Sequence, residues 1–351
     1  MTVWEDILAQ VDNYRRVIEQ HAKGGKAAFE PARELGWGGK EIVFTGVGSG
    51  LNATIPATYY LMQLGKPAQY IDTTELIYGL MPGLKDKLLV LNTRSGETAE
   101  LIRAAQIAKQ AGIAAVAVTN EPNSQVAKLA TVCIPTYSRW DQLVVISAYG
   151  GMLVTELVLS SVFVGKFDEM LEELQKIPST VEQVLQEVIA KREELCDFIG
   201  DSRPIYLLGR GASLASAHGG ALVIEETSRR PVVPMASGLF RQGPIEVADE
   251  RFRGIVFEGS GETQRLSRRL AEDLINKGCG IVWVGSRPIP GALNIEVPDM
   301  AGYLLPTVEI LPCQVLAHDL AVRAGITPGS VRYIEKVITS EEGIQANENR
   351  I

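Results

Sequence analysis

The chain is predicted to be an α/β protein made of two tandem, doubly wound parallel-sheet domains related by duplication. Three observations predict it. Short apolar runs alternate with helical patterns along most of the 351 residues, the pattern of parallel strands covered by helices on both faces. Ser-Gly-Glu-Thr occurs twice, at Ser95–Thr98 and Ser260–Thr263, each time between an apolar run and a helical pattern. A second loop pair, Gly46-Val-Gly-Ser-Gly-Leu-Asn-Ala53 and Gly209-Arg-Gly-Ala-Ser-Leu-Ala-Ser216, precedes them at nearly the same spacing. Two tetrapeptides match by chance; two ordered loops inside matching strand–helix patterns mark a repeated unit.

Taken in order, residues 1–40 read as an N-terminal helical segment ending in a connection broken by Gly36, Gly38 and Gly39. Residues 41–165 form the first domain. Its strand signals are Ile42–Gly46, Gln69–Asp72, Leu88–Asn92, Ala114–Thr119 and Thr131–Pro135, and its clearest helices are Ala53–Leu64 and Thr98–Ala111. Leu143–Ile199 reads as almost entirely helical, with a break near Pro178; residues 166–200 of it are the connection between domains. Residues 201–340 form the second domain, with strands at Ile205–Gly209, Val232–Met235, Gly254–Phe257, Gly280–Val284 and Asn294–Val297 and a helix at Leu214–Ser228. Residues 341–351 are a tail.

Composition bounds the function. Hydrophobic residues are 46% and charged residues 22%, ordinary globular usage. A net charge of −8 argues against nucleic acid, whose phosphates select basic surfaces. It leaves open a small phosphorylated ligand, for which a few local donors suffice. Cys133, Cys196, Cys279 and Cys313 are scattered and read as free thiols of a reducing compartment, not as a metal site. The N-terminus is amphipathic and acidic without an apolar signal core, so a cytoplasmic protein is expected. Leu143–Val164 is apolar enough to raise a membrane helix, but Glu156 lies in its middle, where lipid would penalise it. A buried helix at a domain or subunit interface is the expectation.

In an open parallel sheet, ligands bind beyond the carboxyl ends of the strands. In Thr93-Arg94-Ser95-Gly96-Glu97-Thr98, three hydroxyls cluster just before a helix, where free amides and the helix dipole favour an anion. Gly96 allows close approach of the backbone and Arg94 adds positive charge. The competing reading is that Ser95 or Thr98 merely caps the helix, with Glu97 in its first turn. The partner loop Gly46–Gly50 shifts the balance toward a site, although it lacks the full dinucleotide-binding spacing. Aligning the two tetrapeptides sets Glu258 against Thr93 and Gly259 against Arg94. A carboxylate there would repel a phosphate, so the first half is expected to bind the anion and the second to have another task.

These segments, with the second-half stretch Gly209–Ser228, the turn Ser237–Pro244 and the C-terminal Glu-Lys-Val-Ile-Thr, resemble the sugar isomerase (SIS) domain family. The chain is similar over nearly its whole length to the double-SIS isomerase region of glucosamine-6-phosphate synthase and to fructosamine-6-phosphate deglycases. The resemblance implies flavodoxin-like domains without a cofactor or metal, a homodimer, and a sugar phosphate held by Ser49, Thr93, Ser95 and Thr98 with the backbone around Gly50, Arg94 and Gly96. It implies that Glu226, at the end of Ala221-Leu-Val-Ile-Glu-Glu, moves a proton between C1 and C2, and that Lys336 reaches the sugar. The competing reading is that Glu225 and Glu226 form a solvated helix face; motif position favours Glu226 over its neighbour Glu225.

The chain also departs from the family. Gln242 stands where a catalytic ring-opening His is often found, and Gln is neither acid nor base at neutral pH. Val223 replaces a Lys, Gly50 lacks a frequent hydroxyl, and Ser147-Ala148-Tyr149 replaces a Ser-Thr-Lys segment. Either the substrate opens unaided, Arg241 or His218 assists, or the protein binds a phosphosugar without turning it over. His21, His218 and His318 fall in packed helical patterns. Glutamine-dependent amination is not expected, and neither is a DNA-binding domain before residue 40. The expected activity is aldose–ketose isomerisation, deamination or deglycation of an amino-sugar phosphate or sugar–amine phosphate adduct; the alternative is a phosphosugar sensor.

Overall fold

A computed structural model describes residues 2–36, 39–141, 144–201, 204–334 and 337–340. Helices α1 (Val3–Leu8), α2 (Gln10–Gly24) and α3 (Glu30–Leu35) precede β1 (Ile42–Gly46), α4 (Ser49–Gln63), β2 (Ala68–Asp72) and the short α5 (Thr73–Glu75). Then come β3 (Leu88–Thr93), α6 (Ala99–Gln110), β4 (Ala115–Thr119), α7 (Gln125–Leu129) and β5 (Val132–Pro135). Four helices follow: α8 (Ser147–Phe163), α9 (Phe167–Leu174), α10 (Ile177–Ala190) and α11 (Arg192–Ile199). The remainder is β6 (Ile205–Gly209), α12 (Leu214–Ser228), β7 (Val232–Ala236), α13 (Ser237–Phe240), β8 (Arg253–Phe257), α14 (Glu262–Asn276), β9 (Gly280–Gly285), β10 (Leu293–Glu296), α15 (Pro306–Glu309) and α16 (Leu311–Arg323).

The strands form two all-parallel five-stranded sheets, ordered β2-β1-β3-β4-β5 and β7-β6-β8-β9-β10. The two orders are the same, as duplication requires. Central strands β1, β3 and β4 are buried at every position, because helices cover both faces of a parallel sheet. In each sheet the order reverses beside the first strand, and this switch point opens the crevice where such folds bind ligands. Gly46 lies opposite Asn92 at that edge.

The chain divides into two units that are discontinuous in sequence. One comprises residues 12–176 and 331–351; the other comprises 1–11 and 177–330. The first is closed by its C-terminal segment: the Ile338 carbonyl accepts from Ala99 N, the first amide of α6, at 3.1 Å.

Two sequence expectations are corrected. The Leu143–Ile199 stretch breaks three times, not once; Leu143 itself lies outside the described residues. Gly165, in the left-handed region at φ +73°, ends α8. The break expected near Pro178 falls at residues 175–176, and Pro178 sits in the first turn of α10, where its missing N–H is harmless. The third break is at Lys191. Secondly, the helix expected from Ala53 starts four residues earlier, at Ser49.

Helix α8 is buried from Ser147 to Val162 within one chain, so its apolarity needs no second subunit. No described helix is long and apolar enough to cross a membrane. Glu156 is fully buried with neither carboxylate oxygen hydrogen-bonded, and burial pushes its carboxyl well above the usual range.

Candidate functional site

The first sheet's switch point is built by the loops leaving β1 and β3. The β1 loop is only two residues, so α4 begins at Ser49 directly above the strand end. The loops are tied together by Asn92 Nδ2, which donates to Gly50 O at 2.8 Å. A Cβ at Gly50 would lie 2.7 Å from the Asn92 carbonyl oxygen, which gives a packing reason for the absent hydroxyl there.

The four hydroxyls divide into two roles. Thr93 Oγ1 accepts from Gly96 N at 3.1 Å, and Ser95 Oγ accepts from Glu97 N at 3.2 Å. These bonds shape the loop and leave each O–H proton free to be donated. Ser49 and Thr98 are half-buried, and their hydroxyls make no hydrogen bond among the described residues. Thr98 occupies the N-cap position of α6, yet its side chain does not cap the helix. The helix-cap explanation therefore fails for Thr98, while the Gly50 and Gly96 amides already have partners in Val47 O and Thr93 Oγ1.

A neighbouring loop braces the Ser-Gly-Glu-Thr turn. Glu97 accepts from Gln125 N and Nε2, both at 2.9 Å, and Gly96 O accepts from Val126 N at 3.1 Å. The buried Arg94 places its guanidinium 5.4 Å from the Trp140 ring centre, a cation–π contact, while its carbonyl accepts from Asn120 N.

The second unit repeats the architecture with different chemistry. Helix α14 starts at Glu262, two positions earlier in the tetrapeptide than α6 does. Glu258 turns sideways and accepts from Ser286 N at 2.6 Å and Ser286 Oγ at 2.9 Å. Glu309, which nothing in the sequence reading singled out, is buried behind the β6 and β8 loops. It accepts from Ser213 Oγ at 2.9 Å and Ser216 Oγ at 2.7 Å.

Burial raises the Glu309 carboxyl from 4.5 to about 7, against the opposing pull of those donors and with help from the nearby Glu258 charge. A carboxyl whose pKa is raised on folding contributes stability below its unfolded pKa and loses it as pH rises through the folded one. Wild type is therefore expected to lose stability relative to Glu309→Gln between pH 4.5 and about 7. The limiting slope is about 1.4 kcal/mol per pH unit. Denaturant midpoints across that range check it; parallel curves for the two proteins would refute it.

Glu226 is half-buried on α12, whereas Glu225 is exposed and accepts from Val232 N at 3.2 Å, tying the helix end to β7. Burial nevertheless raises the Glu225 carboxyl. Gln242 is exposed in the turn after α13. Lys336 lies outside the described residues, although Ile338, two positions on, meets the start of α6 beside the first loop pair. His21 is a packed histidine: Nε2 lies 2.8 Å from Thr155 Oγ1, Phe29 and Tyr137 flank it, and burial lowers it to about 4. His318 pairs with Asp319 at 2.9 Å and stacks near Trp4. His218 is half-buried, and burial lowers its pKa.

Comparison with known proteins sets this geometry in context. The SIS domain family model matches residues 37–153 and 198–283. Glutamine–fructose-6-phosphate aminotransferase (isomerizing) of Thermococcus kodakarensis is 26% identical over 353 residues, which cover 95% of this chain and 58% of the relative. The enzyme of the same description from Pyrobaculum aerophilum is 26% identical over 317 residues, 86% of this chain and 52% of the relative. The chain thus spans about half the length of the curated relatives it matches. Among solved structures, the C-terminal domain of glucosamine-fructose-6-phosphate aminotransferase from Francisella tularensis has a TM-score of 0.81 at 19% identity, covering 92% of this chain and 95% of that one. Tagatose-6-phosphate ketose/aldose isomerase from Escherichia coli has a TM-score of 0.78 at 19% identity, covering 95% and 96%. With one family match on each sheet, together spanning more than half its length, the chain belongs to the SIS domain family.

Proposed function

We propose that the chain binds a phosphorylated sugar at the β1 and β3 loops and moves a proton between C1 and C2. It would act as an aldose–ketose isomerase, a deaminase or a deglycase on an amino-sugar phosphate or sugar–amine phosphate adduct. The observation that carries the reading is the pair of unpartnered Ser49 and Thr98 hydroxyls at the switch point, beside Thr93 and Ser95, whose protons remain available. Names of structural neighbours agree in chemistry: one is a tagatose-6-phosphate ketose/aldose isomerase and another, from Thermotoga maritima, a glucosamine-6-phosphate deaminase.

Binding energy from the phosphate would orient the reacting carbons. Glu226 removes the C2 proton of an open-chain aldose; the electron pair enters a C1–C2 double bond and the C1 oxygen takes a proton. Return of the carried proton to C1, with loss of the proton on the C2 oxygen, gives the ketose. An imine at C1 follows the same course with nitrogen in place of oxygen. The sensor reading has one specific support. Val223, at the family Lys position, is only 4% exposed, and Gln242 supplies no acid or base in its stead.

Calorimetric titration with fructose 6-phosphate and with unphosphorylated fructose tests the binding step. The phosphate ester should be needed for binding, and Ser49→Ala with Thr98→Val should weaken it at least about tenfold. Hydrogen bonds to a charged group contribute roughly 1.5–3 kcal/mol each. Equal affinity for both sugars, or an unaffected double variant, would remove the proposal's basis.

A further inference from the structure

The two units share one topology, so their loops correspond. The β1 and β6 loops are equivalent, and so are the β3 and β8 loops. In the first unit, hydroxyls of this pair are left without protein partners among the described residues. In the second, the donors converge on one group. Ser213 Oγ and Ser216 Oγ, from the β6 loop and the α12 start, both donate to the Glu309 carboxylate. Gly259 stands at φ +74°, and a Cβ there would lie 3.7 Å from Ser213 Oγ, so the two loops meet at this point as their counterparts do at Gly50 and Asn92.

We infer that Glu309 is the built-in occupant of a second anion cradle, so that duplication leaves one phosphate site per chain instead of two. Glu309 is 1% exposed, and it projects from α15, immediately before α16. The corresponding first-unit position is found by counting back from α8, which packs on α4 as α16 packs on α12. Two residues before α8 stands the uncharged Val145, so the position equivalent to Glu309 carries no carboxylate. Glu258, the other acid of the second loop pair, does not compete, because it turns to Ser286, whose N and Oγ both donate to its Oε2. Two donors that would otherwise meet a ligand oxygen are thus consumed within the fold. Leaving them buried and unpaired would cost about 1–3 kcal/mol each.

The inference rests on reading the first cradle as the phosphate site, and the test separates the two. Equilibrium dialysis with radiolabelled inorganic phosphate counts sites per chain. Wild type should bind one, Glu309→Ala two, and Glu309→Gln, whose amide oxygen accepts from one serine and whose NH2 donates to the other, one. Adding Ser49→Ala and Thr98→Val should subtract one site from each. A folded Glu309→Ala chain that binds no more phosphate than wild type overturns the inference, whereas a wild-type site that survives Ser49→Ala with Thr98→Val overturns the first-cradle reading instead. Thermal melting provides a second readout if Glu309→Ala is too unstable for dialysis. Acetate or phosphate should raise its Tm by several degrees more than that of wild type or Glu309→Gln. An equal shift in all three proteins would also overturn the inference.

Discussion

Glu226→Gln is expected to abolish solvent-deuterium incorporation at C2 of a bound sugar phosphate while leaving phosphate binding within about twofold of wild type. A positioned acid or base contributes roughly 10²–10⁴-fold to such a proton transfer, and glutamine at the same position retains the shape but not the basicity. The adjacent carboxylate supplies the control. Glu225 is exposed and already engaged through Oε1 with Val232 N. Its glutamine variant keeps that acceptor and should retain turnover within a fewfold. Deuterium followed by mass spectrometry over a panel of hexose and amino-sugar phosphates distinguishes the outcomes. Loss in Glu226→Gln alone supports the enzyme. Equal loss in both variants argues against a specific base. Tight binding by wild type with no exchange for any phosphate identifies a sensor, in line with Gln242 and Val223.

The fold was legible because the signals are local. Continuous apolar runs such as Ile42–Gly46 and Leu88–Asn92 can be buried on both faces only in a parallel sheet, and they become strands within a residue of the expected bounds. The repeated loops gave the matching strand orders for the same reason. Helix boundaries were less legible: Pro178 reads as a breaker from sequence, yet a first-turn proline starts a helix as well as it stops one. Ser49 as the first residue of α4 was hidden by Gly48 and Gly50, which lower helix propensity without preventing a helix start.

Contacts between distant segments left almost no local trace. The Ile338 carbonyl on Ala99 N joins residues 239 apart in sequence, and neither position is unusual alone. Glu309 did leave one signal: a single carboxylate in Pro306-Thr-Val-Glu-Ile-Leu311, an otherwise apolar stretch. An acid there must be paired or hydrogen-bonded if buried, and its donors lie 93 and 96 residues earlier. The divergence of the two tetrapeptides could be anticipated from Glu258 opposite Thr93; the carboxylate that fills the second cradle could not.

The same glycine in the two tetrapeptides should respond unequally to one methyl group. Gly96 and Gly261 both stand at positive φ, +66° and +60°, so alanine at either is strained. Their surroundings differ. A Cβ on Gly96 would lie 1.9 Å from Ser124 Oγ and 2.4 Å from Ser124 Cβ, whereas nothing lies within 4 Å of a Cβ on Gly261. Ser124 is the N-cap of α7, accepting from Ala127 N, and Gly96 O receives Val126 N, so the turn and that helix would have to separate. Overpacking of this kind costs about 1–3 kcal/mol beyond the strain. Gly96→Ala is therefore expected to lower the unfolding free energy by about 1–3 kcal/mol beyond its backbone strain, read from the denaturant midpoint. It should also weaken sugar-phosphate binding at least tenfold, because Thr93, Ser95 and Thr98 share the displaced turn. Gly261→Ala should leave that binding unchanged, since its loop serves the cradle that Glu309 fills. Equal loss of affinity in the two variants would contradict the division of labour between the duplicated loops.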